Sequence, residues 1–333
     1  MKVKVNFSVS AALPLSAGTF NNAQPNCLSG ASFWQPYHVV RSAWLEHGPF
    51  AFWLIETLRP QILVELGTHN GFSYMGFCQA IRQLRLPTTA FAVDTWQGDE
   101  HAGFYGQEVF TQLSTRNDAH YADFSRLLRC RFDEALDQFA DGSIDLLHID
   151  GRHTYADVRQ DFEDWLPKLS RRAVVLFHDT NVRSGDFGVW RYWSELSTRY
   201  PAFEFLHGHG LGVLAVGPDA QAALQPLFDV EHAQVEAIRS VYGRLGQGIS
   251  REYLLGQTQE RLSEAHATVA RLALIEQSLF WRATRPARRV IANLPKPVGR
   301  TLRRGAKALW WVLTPHRLPA RVASMRARAG QRA

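Results

Sequence analysis

Between residues 61 and 217, apolar runs of strand length alternate with segments of helical period. The runs are "QILVELG" (61–67), "TTAFAVD" (88–94), "SRLLRC" (125–130), "SIDLLHID" (143–150) and "AVVLFHD" (173–179). Between them, "FSYMGFCQAIRQL" (72–84) places Tyr74, Phe77, Ile81 and Leu84 at helical spacing. "FDEALDQF" (132–139), "YADVRQDFEDWLPKL" (155–169) and "GVWRYWSELSTRY" (188–200) also read as helices. Two last runs, "FEFLHG" (203–208) and "GLGVLAVG" (210–217), are separated by so short a link that they predict antiparallel neighbours at a sheet edge. This alternation predicts a doubly wound α/β domain around a mostly parallel, seven-stranded sheet.

Ligands of such sheets bind beyond the carboxyl ends of the strands, around the switch point. Two runs end there on an acid, Asp150 in "DLLHID" and Asp179 in "VVLFHD", and so open onto one crevice. "VELGTHNGFSY" (64–74) sets Glu65, Gly67, Thr68, Gly71 and Ser73 in a strand–turn–helix. Glycine there allows a tight turn and close backbone approach to a ligand, although ordinary turn chemistry asks for the same residues. Asp94 ends the second run 27 residues after Gly67, a spacing that suits a carboxylate accepting hydrogen bonds from ribose hydroxyls.

These residues resemble the class I S-adenosylmethionine-dependent methyltransferases, whose first motif carries an acid two residues before its first glycine. The resemblance implies that the turn through Glu65, Gly67, Thr68, Gly71 and Ser73 meets the methionine part of the cofactor. It implies that Asp94 holds the ribose and that Asp133, in "RFDEAL", lies near the adenine. The hairpin 203–217 would be the reversed last strand that separates this fold from nicotinamide dehydrogenases. A narrower resemblance, carried by "HIDGRHTYADVRQDFEDWLPKL" and "VVLFHD", is to the family of macrocin O-methyltransferase-like and cephalosporin-hydroxylase-like proteins. It implies that Asp150 and Asp179 bind Mg²⁺ and that His153 is the general base. A cation held by carboxylates lowers the pKa of a sugar hydroxyl, and a neutral imidazole can then take its proton. The acceptor expected is a hydroxyl of a glycan or of a glycosylated intermediate.

Plainer roles compete. Asp150 could cap the following helix and His153 could be a turn residue. His148, inside its strand, reads as a core histidine, whereas His178 could orient a ligand. Asp161, Glu163 and Asp164 read as the solvated face of helix 155–169, and Trp190 and Trp193 as core. The polar loop 179–188 offers Asn181 as a further ligand candidate. Three other functions remain open: transfer to a small non-sugar acceptor by a methyltransferase or hydroxylase-like relative, a nicotinamide dehydrogenase, and a non-enzymatic membrane-attached scaffold. The absence of any Pro-Pro pair speaks against a base methyltransferase.

The flanks differ from the centre. Residues 1–60 read as an N-terminal segment followed by a helix over 37–60, expected to cover the cofactor pocket. After the catalytic domain at 61–218, residues 219–281 read as helices broken by Pro226 and Gly243, with the periodic stretch 250–282 a candidate for homo-oligomerisation. Residues 282–333 carry 14 Lys and Arg and no acid, so the chain's formal net charge of +6 conceals a body with a net of −8. In "RTLRRGAKALWWVLT" (300–314), Leu302, Ala306, Leu309 and Leu313 share one helical face beside arginines, the pattern of a helix lying on an anionic bilayer. The acidic body disfavours nucleic acid as partner. Neither a secretory h-region nor an 18-residue apolar run is present, and Cys27, Cys78 and Cys130 show no metal-ligand spacing. The expected location is the cytoplasm, peripheral at the inner face of its membrane.

Overall fold

The computed structural model describes residues 27–293 together with Pro295, Val298, Thr301, Leu302 and Gly305. The chain divides into two compact units, one ending at Leu255 and one beginning at Gly256.

In the first unit the alternation becomes β1 (Ile62–Leu66), α2 (Phe72–Leu84), β2 (Thr89–Asp94), α3 (Gln107–His120), β5 (Ser125–Arg129), α4 (Phe132–Ala135) and β6 (Ile144–Ile149). It continues through α5 (Tyr155–Trp165), β7 (Leu169–His178), α6 (Val189–Leu196), β8 (Ala202–Phe205) and β9 (Leu211–Ala215), and α1 (Gly48–Leu58) precedes β1. One seven-stranded sheet runs β5-β2-β1-β6-β7-β9-β8. The first five strands in that order are parallel, and β9 is antiparallel to both its neighbours. A reversed strand inserted beside β7 is the mark of the class I methyltransferase fold. It is not the all-parallel order 3-2-1-4-5-6 of dinucleotide dehydrogenases. A separate two-stranded ribbon, β3 (Gly98–Asp99) with β4 (Gly103–Phe104), follows β2; neither it nor α3 was legible as periodicity.

Strand alternation sends residues to two cores. Leu63 and Leu146 join α1 and α2 in one, while Val64, Leu66, Leu147 and Ile149 join α5 and α6 in the other. Helix α5 shows how local sequence starts an element: the Thr154 side chain caps it by accepting from Asp157 N–H, and Val158, Phe162 and Trp165 form its buried stripe. On the first face Glu65 and His148 are both fully buried, are register partners across β1 and β6, and meet at 2.7 Å. His148 is a core histidine, as its position inside the strand predicts.

The expected helix over 37–60 is shorter than its pattern. A 3-10 turn at Leu45–His47 leads into α1, whose first turn contains Pro49. Proline has no N–H to give to a preceding turn and is accepted at a helix start, so it marks the beginning here. Helix α1 packs on α2, and no described residue of 37–60 lines the cavity described below. Pro226 lies in the first turn of the short α8 (Gln225–Phe228), which follows α7 (Ala220–Ala223). Gly243 breaks nothing: α9 (His232–Gln277) runs through it. Burial of Ile238, Tyr242 and Ile249 offsets the helical cost of glycine, about 1 kcal/mol relative to alanine. Gly246 has a positive use, because a Cβ there would stand 2.1 Å from the Glu46 carbonyl oxygen.

In the second unit α9 exposes Leu262, Val269 and Leu272, and it is followed by α10 (Leu279–Ala283) and α11 (Arg285–Asn293). Of the amphipathic face expected in the tail, Leu302 is described and exposed, whereas Ala306, Leu309 and Leu313 lie outside the described residues. No helix among the described residues is long and apolar enough to cross a membrane.

Two of the glycines of α9 give opposite predictions. Gly246→Ala should destabilise by about 1–3 kcal/mol through overpacking against Glu46. Gly248→Ala, exposed and with nothing within 4 Å, should stabilise by roughly 0.5–1 kcal/mol. Urea denaturation of both variants checks the signs; equal effects would remove the close approach as the reason for Gly246.

Candidate functional site

The carboxyl ends of β1, β2 and β6 are drawn together by backbone. Gly67 N–H donates to Val93 O at 3.0 Å, and Asp150 N–H donates to Leu66 O at 2.8 Å. A Cβ on Gly67 (φ +85°) would fall 2.1 Å from the Asp150 carbonyl oxygen. The glycine is therefore required by the neighbouring strand as well as by its own left-handed conformation. Gly71 (φ +79°) is similarly hemmed by Leu113, 2.3 Å from its would-be Cβ.

Asp94 finishes the arrangement. Its Oδ2 accepts from the N–H of Thr68 at 2.8 Å and of His69 at 2.9 Å, and its Oδ1 accepts from Trp96 N–H at 2.7 Å. The carboxylate thus ties the turn after β1 to the turn after β2, and it also lines the cavity. Within the fold it is first a backbone anchor, a role that its position at a strand end does not reveal.

The cavity beside these strand ends encloses about 460 Å³ and is walled by Gly67, His69, Asp94, Asp133, Asp150, Gly151 and His153, with Tyr105, Phe132 and Trp165 as aromatic surfaces. Its volume is that of a small-molecule site. Gly67, Asp94, Asp133 and Asp150 are brought together there as expected. Glu65, Thr68, Gly71 and Ser73 do not line it: Glu65 is spent on His148, Thr68 and Ser73 are buried in the turn and the first turn of α2, and Gly71 serves α2's N-terminus. Asp133 reaches the cavity paired with Arg131, whose guanidinium holds the carboxyl below its usual range. A cationic nucleoside with an aromatic base fits this lining of carboxylates and rings.

Asp161 corrects the expectation of a solvated face, because it is half-buried and lines the cavity, whereas Asp164 borders the cavity but is exposed as expected, and Glu163 is exposed and pairs with Arg159. Burial, with the neighbouring carboxylates of Asp157, Asp164 and Asp133, raises Asp161 to about 7. Asp157, Asp161 and Asp164 recur at i, i+4 and i+7 with no base between them in that stripe. That pattern was the available signal, since solvated acidic faces usually carry cationic partners. His69, Asp99, Tyr105, Phe132 and Trp165 lie on turns or pack as ordinary aromatics, and periodicity gave no hint of them.

At one side of the cavity Asp150, His153 and Asp179 converge, with one ligand atom from each lying within 4.8 Å of the others. His153 Nε2 is 2.8 Å from Asp179 Oδ2 and 3.7 Å from Asp150 Oδ1. Asp179 reaches this point from a left-handed backbone (φ +61°) directly after β7. His178 is buried, bonds Asp150 Oδ1 at 3.1 Å through Nδ1 and donates from Nε2 to Gly208 O at 3.0 Å. It orients a candidate ligand. His209 bonds the other Asp179 oxygen at 3.1 Å, and Asn181 donates instead to Leu206 O. Burial opposes charge on His153, but hydrogen bonds and charge from Asp150 and Asp179 outweigh it and raise the imidazole to about 9. Both carboxylates are correspondingly held below their usual range: burial opposes this, and the charge of His178 with the hydrogen bonds of His153 overcomes it. Two carboxylates aimed at one point, with an imidazole beside them, form a donor set that fits a divalent cation such as Mg²⁺ or Mn²⁺.

Asp161 predicts a pH dependence. Its folded pKa lies above the unfolded value of 3.8, so the unfolded chain gives up this proton first and stability is lost as pH rises from about 4 to about 7. Asp161→Asn should remove that loss: its midpoint for thermal unfolding should match the parent near pH 4 and exceed it at pH 7. Parallel pH profiles would contradict the assignment.

Residues 64–180 match the family described as a methyltransferase domain. An uncharacterized protein of Sinorhizobium fredii is 47% identical over 289 residues, which cover 84% of this chain and 31% of that protein. The chain thus spans about a third of the length of the curated relative it matches. Among solved structures, a methyltransferase from Geobacter sulfurreducens aligns at 19% identity and a TM-score of 0.38, covering 53% of this chain and 80% of the other. The O-methyltransferase TomG of Streptomyces achromogenes, solved with S-adenosylmethionine, aligns at 15% identity and a TM-score of 0.39, covering 58% and 98%. Residues 64–180, which match a methyltransferase domain, lie within a sheet that has the strand order of the class I methyltransferase fold.

Proposed function

We propose that the chain is an S-adenosylmethionine-dependent O-methyltransferase assisted by a divalent cation, and that its acceptor is a sugar hydroxyl of a glycan or glycosylated intermediate. The observation that carries this reading is the convergence of Asp150, Asp179 and His153 beside the cavity walled by Gly67 and Asp94. The sulfonium cofactor supplies an electrophilic methyl group, and a bound cation supplies Lewis acidity. Asp150 and Asp179 would hold the cation. Freed from its role as their counter-ion, His153 Nε2 would accept the hydroxyl proton as the oxygen–methyl bond forms and the methyl–sulfur bond breaks. Gly67, Asp94, Phe132 and Trp165 would fix the cofactor, so that transfer becomes a matter of in-line approach. The sugar acceptor rests on the narrower sequence resemblance through "HIDGRHTY", and transfer to a small non-sugar hydroxyl uses the same groups.

Asp150→Asn and Asp179→Asn should abolish transfer of a labelled methyl group to cell-envelope glycan fractions while leaving S-adenosylhomocysteine affinity within a few-fold by calorimetry. His153→Ala should lower turnover by roughly 10² to 10⁴-fold, the usual contribution of a general base. Full activity in excess chelator would reject the cation.

For the tail we infer docking on an anionic membrane. Support comes from its 14 uncompensated basic side chains and from the exposed apolar Val290 and Leu302 among them. Each Lys or Arg near an anionic leaflet contributes about 1 kcal/mol. Binding to phosphatidylglycerol vesicles should therefore weaken as salt rises, and Arg300, Arg303 and Arg304 changed together to Gln should weaken it further. Equal sedimentation with neutral and anionic vesicles would reject the membrane.

A further inference from the structure

The ribbon of β3 and β4 borders the cavity, whose wall also includes Asp150 and His153, and it touches the Asp150–His153–Asp179 cluster through His153. Toward the cavity it presents Gly98, Asp99 and Ala102, with Tyr105 just beyond. Its turn is fixed internally, since Asp99 Oδ1 accepts the N–H groups of His101 and Ala102, each at 2.7 Å. On its other side the ribbon sends His101 against His153.

The single ring of His101 makes two different bonds. Its Nδ1 accepts from the backbone N–H of His153 at 3.3 Å, and its Nε2 donates to Asp186 Oδ1 at 2.8 Å. One neutral tautomer, protonated at Nε2, satisfies both. The ring also lies 4.8 Å from that of Phe187 and 5.3 Å from that of His153, while Phe187 stacks on His153 at 4.7 Å and 11°. The His153 carbonyl accepts from Gly188 N–H at 2.7 Å, so both polar groups of its backbone are held by flanking segments. The ribbon holds the N–H and the 180–188 loop holds the carbonyl. His101 joins those two segments, and its side chain is only 11% exposed although its partner Asp186 is open to solvent. A surface ion pair alone would not bury one partner in this way; the ring is placed to fix its neighbour.

We propose that His101 is a positioning residue that couples the cofactor cavity to the cation cluster: a cofactor against Gly98, Asp99 and Tyr105 sets the ribbon, and the ribbon sets the His153 imidazole against Asp150 and Asp179. This rests on the methyltransferase reading above. Such coupling is reciprocal, so each ligand must tighten the other by the same factor.

The test is a thermodynamic cycle by calorimetry, using Mn²⁺ and S-adenosylhomocysteine with the whole protein. In the parent, saturating S-adenosylhomocysteine should tighten Mn²⁺ binding by at least about five-fold, the lower end of ordinary couplings. In His101→Ala that factor should fall toward one, while each ligand still binds alone. His101→Gln, whose amide retains a donor and an acceptor, should recover part of the factor, and Asp186→Asn should lower it without touching the cavity. A factor unchanged in His101→Ala and in Asp186→Asn overturns the proposal, as does a parent that binds both ligands independently. A parent that binds no S-adenosylhomocysteine overturns instead the methyltransferase reading beneath it. If His101→Ala does not fold, the Asp186→Asn cycle decides alone.

Discussion

The Asp150 carbonyl oxygen lies against Gly67 with no room for a side chain, and that contact governs the site. It requires β1 and β6 to stay paired to their last residues, as the Asp150–Leu66 hydrogen bond shows, while the Gly67–Val93 bond keeps β2 level with β1. Because the strand ends are level, the turn after β1 and the acid after β6 share one rim. Asp94 then spends its carboxylate on the N–H groups of Thr68, His69 and Trp96, which fixes the height of the second turn against the first. Cavity and cation cluster are consequences of this levelling.

Much of this was legible in the sequence, for a physical reason. Fully buried parallel strands leave continuous apolar runs, and the acids that end them stand out because nothing else in those runs is charged. Asp150 and Asp179 were visible for that reason, as was the reversed edge hairpin through its short link. What was not legible depends on the partner across space. Glu65 looks like a ligand acid until His148 is found opposite it on β6. Asp161 looks solvated until Phe132, Trp165 and three neighbouring carboxylates are placed around it. Gly243 looks like a helix breaker because local propensity takes no account of the burial of Tyr242 beside it. His101 sits in a polar stretch between glycines with no period at all, and only the fold brings it to a residue 52 positions away.

Charge divides the chain between two tasks. The cavity is lined by carboxylates, which suits a cationic cofactor and a metal, whereas the segment from Arg282 onward holds no acid at all. Around Asp150 and Asp179 the balancing groups are His153 and His178, which can give up a proton where an arginine could not.

The buried Glu65–His148 pair carries a consequence of its own. These two residues lie opposite each other on neighbouring inner strands, in a face that is otherwise apolar. Sliding β6 by one residue would turn His148 to the opposite core and leave Glu65 facing hydrocarbon, a buried charge without a partner. The pair therefore acts as an indexing mark. Any misaligned sheet is penalised at its centre, long before its edge, and Asp150, two residues beyond His148, inherits its place from that alignment.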